Sequence, residues 1–174
     1  MSQKSKDIFA DLVDCIVSQQ LSVKAAATIY SRLEKLCGQI TPSKILDLDI
    51  DSIRACGLSN AKVTYVKDLA LKTTDGTLQL NKLDTMSDEE VINHLVAVKG
   101  IGRWSAEMIL MFSLNRPDVF PVGDLGIQNA MIKKYGLLRT NNYELKTRMQ
   151  EIASSWRPYR TRECKKLWKS LDNG

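Results

Sequence analysis

Histidine is nearly missing from this 174-residue chain, which carries one, His94, and cysteine is sparse, with four. Cys15, Cys37, Cys56 and Cys164 stand far apart and form no Cys-x-x-Cys pair. That spacing argues against a zinc site or an iron–sulfur cluster and favours free thiols in a reducing compartment. Long apolar runs are missing too. The longest, Met108-Ile109-Leu110-Met111-Phe112, falls far short of the roughly 20 residues that cross a bilayer. The amino terminus, Met-Ser-Gln-Lys-Ser-Lys-Asp, has no apolar stretch of the signal-peptide kind. An intracellular protein is therefore expected, in cytoplasm and nucleoid or in a eukaryotic nucleus, with no membrane partner. Period-two alternation is nearly absent, which excludes a sheet as the organising element. No internal repeat, low-complexity tract or long linker interrupts the chain.

What is present is a helical period throughout. Hydrophobic residues make up 44% of the chain, enough for one compact domain over 1–174 or two small helical lobes. Ile8, Phe9, Leu12, Val13, Ile16 and Val17 form one apolar stripe that predicts a helix ending near Ser18. Ser22 is placed to cap a second helix with Val23, Ala26, Ala27, Tyr30 and Leu33 on its inner face. Thr41-Pro42 opens a short turn of helix, Asp49 starts another that ends at Gly57, and Ser59 begins a longer one closed by Asp75-Gly76. Ser87-Asp88-Glu89-Glu90 fits a capping box. The segment Trp104 to Leu114 is apolar on almost every side and predicts a central, buried helix. Helices over about 124–135, 143–155 and 159–171 complete an all-α chain of roughly nine or ten helices.

Lys and Arg number 25 against 20 Asp and Glu, a formal charge of +5 that permits nucleic-acid binding without requiring it. Arg157, Arg160, Arg162, Lys165, Lys166 and Lys169 crowd the last stretch, with Trp156, Tyr159 and Trp168 interleaved. A solvated helix face and a phosphate-facing surface both fit that pattern.

Four features could carry chemistry. In Val98-Lys99-Gly100-Ile101-Gly102-Arg103-Trp104, glycines two apart allow a left-handed turn and a close approach of backbone amides to an anion, with Lys99 and Arg103 adding charge. A plain helix–helix turn fits as well, and a dinucleotide fingerprint does not, because the preceding segment is helical and Ser105 stands where the third glycine belongs. In Val122-Gly123-Asp124-Leu125-Gly126, Asp124 reads first as an N-cap. A carboxylate favoured by the amides of a helix start is also suited to facing a developing cation. Trp104, Trp156, Tyr159 and Trp168 are either core or ring faces for an extruded base. Gln19-Gln20, in a tight interhelical link, is either a solvated loop or a wedge for a duplex that has lost a nucleotide from its stack.

Taken together, five segments resemble a known family. Ile16-Val17-Ser18-Gln19-Gln20-Leu21-Ser22, Cys56-Gly57-Leu58-Ser59-Asn60-Ala61-Lys62, Gly100 to Glu107, Arg116 to Gly126, and Trp156-Arg157-Pro158-Tyr159-Arg160 occur in the order found in the helix–hairpin–helix DNA glycosylase superfamily. The branch they resemble is that of alkylation repair, the 3-methyladenine DNA glycosylase II type, and the hairpin motif covers about 87–114. The resemblance implies two helical lobes with a cleft between them, Asp124 as the catalytic carboxylate, and a base pocket lined by Trp104, Trp156 and Tyr159. It implies Gln20 as the wedge and a phosphate grip of Lys99, Gly100, Ile101, Gly102 and Arg103. Hairpins of the family also hold a monovalent structural cation, here through the carbonyls of Val96, Val98 and Ile101. No metal or organic cofactor is expected in catalysis.

Relatives that also cut the DNA backbone carry a lysine where this chain has Trp104, so a monofunctional enzyme is expected, acting as a monomer on duplex DNA with damaged bases. The chain begins almost at its first motif helix, so the β-rich amino-terminal domain of larger bacterial relatives is not expected. A bifunctional glycosylase/lyase for oxidised bases, a non-catalytic helix–hairpin–helix module and a helical scaffold with a basic tail remain the alternatives.

Overall fold

The computed structural model describes residues 7–139 and 141–171, and every regular element among them is helical. The elements are α1 (Ile8–Ser18), α2 (Val23–Cys37), α3 (Pro42–Asp47), α4 (Ile50–Ala55), α5 (Asn60–Thr74), a 3₁₀ segment (Leu80–Thr85), α6 (Asp88–Val96), α7 (Arg103–Met108), a π turn (Ile109–Ser113), α8 (Leu125–Tyr135), α9 (Asn142–Ser154) and α10 (Arg160–Leu171). The ten α-helices agree with the expected number. No helix among the described residues is long and apolar enough to cross a membrane.

Helix starts follow the capping residues. The side chains of Ser22, Thr41, Asp49 and Ser59 each accept the backbone N–H three residues on, and Ser87 and Glu90 complete the capping box. Gly136 closes α8 in the left-handed conformation.

The chain divides between Ile109 and Leu110 into two compact units. In the first, α5 packs against α1, α3 and α4, and α1 packs on α2. Its core holds Leu12, Ile16, Leu33, Ile45, Ile53, Leu69, Leu83 and Leu95, all sealed from solvent. In the second, α8 packs on α10, with Met111, Ile127, Met131, Met149 and Cys164 sealed inside.

Two expectations need correction. Val23 is 88% exposed and Ala27 lies outside the core, because the buried stripe of α2 runs Ala26, Leu33, Cys37, turned away from the first-turn valine. The stretch from Trp104 to Leu114 is neither one α-helix nor buried all round. It changes to π winding at Ile109, and Trp104 and Phe112 emerge 46% and 54% exposed while Ala106, Leu110 and Met111 stay sealed. The wider π turn resets the helical phase, so apolar residues that one helix would have to bury together face different ways. The 3₁₀ segment had no signature in the sequence, lacking even a side-chain cap.

Candidate active site

In the first unit, α1 ends in a tight turn. Gln19 has φ −52° and ψ 128°, Gln20 follows at φ 57°, and the Leu21 amide donates to the Ser18 carbonyl at 3.1 Å. This is type II geometry with Gln20 in the left-handed position where glycine is preferred. Gln20 is exposed, whereas Gln19 turns inward and its Nε2 donates to the Gly100 carbonyl at 2.8 Å. The link and the hairpin therefore touch.

The hairpin runs from the end of α6 to the start of α7. Gly100 sits at φ 81°, and a Cβ there would lie 2.2 Å from the Tyr65 ring, so both conformation and space demand glycine. The Lys99 amide donates to Asp68 Oδ2 at 2.9 Å and the Ile101 amide to the Val98 carbonyl at 3.1 Å. The amides of Gly100, Gly102 and Arg103 meet no acceptor among the described residues. The Ala97 carbonyl accepts from Lys72 and that of Gly100 from Gln19, while the carbonyls of Val96 and Ile101 accept nothing among the described residues. Burial alone would raise the Asp68 carboxyl, but the bonds from Lys72 and the Lys99 amide, with both charges, hold it below the usual range. Arg103 is not a lone cation. Its guanidinium reaches Glu89 at 3.2 Å and Glu107 at 3.2 Å, and the Glu89 bond is the main reason its pKa rises.

In the second unit Asp124 caps α8 and is 9% exposed. Its Oδ1 accepts the Ile127 amide at 2.7 Å and the indole N–H of Trp168 at 2.8 Å. The Trp168 ring stacks on Phe112 with centroids 5.9 Å apart. A Cβ on Gly126 would come within 3.0 Å of Trp168 and 3.1 Å of Asp124 Oδ1, so glycine is what lets indole and carboxylate meet. The turn before α8 is closed by the Asp124 amide on the Pro121 carbonyl and by Gln128 Nε2 on the Val122 carbonyl.

Trp156 is half-buried, edge-on to Phe120 at 5.9 Å and tilted against Tyr135 at 6.4 Å. Tyr159 is 55% exposed and carries the Arg162 guanidinium 5.4 Å from its ring centre. Arg157 and Arg160 both hold Asp118, at 2.9 and 2.6 Å, and Lys166 holds Glu163 at 2.8 Å. Much of the basic tail is thus ion-paired.

The structure brings Gln20 and the hairpin residues together in the first unit, along with Trp104, and places Asp124, Trp156 and Tyr159 in the second. A sequence profile of the HhH-GPD superfamily of base excision DNA repair proteins matches residues 13–158. The chain belongs to that superfamily. A DNA-3-methyladenine glycosylase of Schizosaccharomyces pombe is 38% identical over 175 residues, an alignment spanning 97% of this chain and 75% of the relative. A putative DNA-3-methyladenine glycosylase of Bacillus subtilis is 31% identical over 95% of this chain, which spans only 59% of that relative. The structure of the S. pombe 3-methyladenine DNA glycosylase Mag1 in complex with abasic DNA superposes with a TM-score of 0.83 at 35% identity, covering 99% of this chain and 85% of that one.

Within this HhH-GPD chain the sequence did not single out the Trp168–Asp124 bond, although Trp168 belonged to the aromatic set. The signal was the spacing of Thr161, Cys164, Leu167 and Trp168, which puts Trp168 beside the buried stripe of α10 that faces α8.

Proposed function

We propose that this HhH-GPD protein is a monofunctional DNA glycosylase that releases alkylated purines, of the 3-methyladenine and 7-methylguanine type, from duplex DNA in base excision repair. The observation that carries the reading is the Asp124 carboxylate, fixed by a backbone amide and an indole N–H through one oxygen, in a chain whose relatives are named for this activity.

The chemistry asks little more. Alkylation at a purine ring nitrogen makes the base cationic, so it leaves with the electron pair of the C1′–N bond as a neutral molecule. The deoxyribose takes on oxocarbenium character and water adds at C1′, losing a proton to the carboxylate or to solvent. A fixed negative charge facing C1′ stabilises that transition state, and we assign this role to Asp124. No metal or organic cofactor is required by such a step.

The hairpin amides of Gly100, Gly102 and Arg103 suit a phosphodiester, with Ile101 between them and Lys99 adding charge. Arg103 contributes through its amide and by steadying the hairpin, since its guanidinium is shared by two glutamates. The Val96 and Ile101 carbonyls, with that of Val98, form the set we assign to a monovalent cation of structural role. Gln20, carried outward by its turn, is assigned as the wedge; Trp104 in the first unit and Trp156 in the second are each assigned, separately, as a ring face that suits a cationic base. Tyr159, in the second unit, can offer its ring only once Arg162 leaves it. With Trp104 where a Schiff-base lysine would stand, no strand cleavage follows.

The test is a panel of single-lesion duplexes assayed for free base, with borohydride trapping in parallel. Release of 3-methyladenine and 7-methylguanine without a trapped adduct is expected. A covalent adduct would replace this reading by a lyase, and binding without base release would replace it by a DNA-binding module.

A further inference from the structure

Helix α5 carries three lysines at five-residue intervals, and each closes the carbonyl end of another segment. Lys62 Nζ donates to the carbonyls of Val17 and Gln19, both at 2.7 Å. Lys67 Nζ donates to those of Leu46 and Leu48, at the end of α3. Lys72 Nζ donates to that of Ala97 at 2.8 Å while paired with Asp68, whose carboxylate also accepts the Lys99 amide.

We propose that Lys62 is a positioning residue for DNA engagement: by holding the carbonyl that directly precedes Gln20 it fixes the strained link, and through the Gln19–Gly100 bond it sets that link against the hairpin. The inference rests on the assigned roles of Gln20 and the hairpin. Its physical basis is the conformation of Gln20 itself. A left-handed glutamine persists only where its surroundings over-determine it. Here the restraints are two charge-assisted bonds from Lys62, the turn bond from Leu21 to Ser18, and the Gln19 side chain on Gly100. On the far side of the hairpin Asp68 and Lys72, from the same helix, hold Lys99 and Ala97. One rigid helix thereby presets the distance between wedge and phosphate grip before DNA arrives, so less ordering remains to be done on binding.

Lys67 supplies the control, because it makes the same kind of bond to the end of α3 and donates to no atom of the Gln19-Gln20 link or of the hairpin among the described residues. Lys62→Met and Lys67→Met are compared for thermal stability, for affinity to a duplex with a tetrahydrofuran abasic site, and for the fluorescence rise of 2-aminopurine beside the lesion. Both variants should lose comparable stability. Lys62→Met alone should bind about tenfold more weakly and blunt the fluorescence rise, while Lys67→Met stays within about twofold and Lys62→Arg recovers part of the loss. Equal DNA effects in the two methionine variants, or parental affinity in Lys62→Met, would overturn the proposal. Hydrogen exchange keeps the question separate from the enzyme assignment. In the free protein the Leu21 and Ile101 amides should exchange faster in Lys62→Met than in Lys67→Met, and equal rates there would overturn it even if the parent proved to release no base.

Discussion

Asp124→Asn separates charge from shape in the second unit. Ile127 and Trp168 both donate to Oδ1, at 2.7 and 2.8 Å. An asparagine that turns its carbonyl toward them keeps both bonds, and asparagine caps a helix about as well as aspartate. The change at these two bonds should therefore cost less than about 1 kcal/mol of stability. What is lost is the negative charge. A carboxylate about 4 Å from a developing unit positive charge, at an effective dielectric of about 20, contributes about 4 kcal/mol. At about 1.4 kcal/mol per decade that is about a thousandfold in rate.

The assay is single-turnover release of 7-methylguanine from alkylated duplex, run beside thermal unfolding and binding to abasic-site DNA. Base release should fall about a thousandfold with the other two readouts near the parent's. A variant that releases base within about tenfold of the parent would refute the electrostatic role, since no charge interaction of the size worked out above could then be operating. Loss of binding in step with loss of rate would refute it differently, by showing that the side chain holds DNA.

Three further outcomes follow from the same geometry. Gly126→Ala should gain helix propensity, yet its new methyl meets Trp168 at 3.0 Å and Asp124 Oδ1 at 3.1 Å. Base release should fall with little change in melting temperature, and an unchanged rate would show that the indole–carboxylate bond is dispensable. Gln20→Gly puts the preferred residue in the left-handed turn position, so stability should hold or rise by up to about 1 kcal/mol. Extrusion of a lesion, read by 2-aminopurine, should nonetheless drop. Asp118 is buried enough to raise its carboxyl, but Arg160 and Arg157 outweigh that and hold it below the usual range. A depressed carboxylate contributes stability that is fully present above its unfolded value of about 3.9 and is lost as pH falls through the folded one. The stability gap between parent and Asp118→Asn in denaturant titrations should thus be widest near neutrality and shrink below about pH 4.

Local chemistry was the most legible part of the sequence. Ser22, Ser59 and Ser87 announced helix starts because a hydroxyl three residues ahead of an amide satisfies it without reference to the rest of the fold. The Gly100 turn was readable because two closely spaced glycines permit a left-handed turn whatever surrounds them, and the capping role of Asp124 was readable from its place just ahead of a helix. Less legible was whatever depended on a partner distant in the chain. Val23 fits the apolar pattern of α2, but the buried stripe turns from Ala26 toward Cys37 and leaves it in solvent. Trp168 and Asp124 are 44 residues apart, and nothing local to either names the other. Arg103 was read as adding charge to the hairpin and Arg160 as part of either a solvated or a phosphate-facing tail, yet Glu89, Glu107 and Asp118 already hold them. A count of basic residues cannot see that pairing. The π turn at Ile109 was hidden because period-based reading assumes one winding throughout.

The legible and the hidden parts meet at helix termini. Each terminus leaves amides or carbonyls without an intrahelical partner, and whatever satisfies them also fixes where the chain goes next. In the first unit the carbonyl end of α1 is closed by Lys62, which sets the Gln20 turn, and the exit from α6 is closed by Lys72, which sets the hairpin. In the second, the amide end of α8 is closed by Asp124, and the oxygen that caps it is the one Trp168 orients. Gln20, Lys99, Gly100 and Asp124 therefore each lie within a few residues of an end closed in this way. Such a placement makes small substitutions at the capping partners act on position before they act on stability. A cap bond is worth about 1 kcal/mol to the fold, whereas a displacement of about 1 Å at a reacting group can cost on the order of a hundredfold in rate.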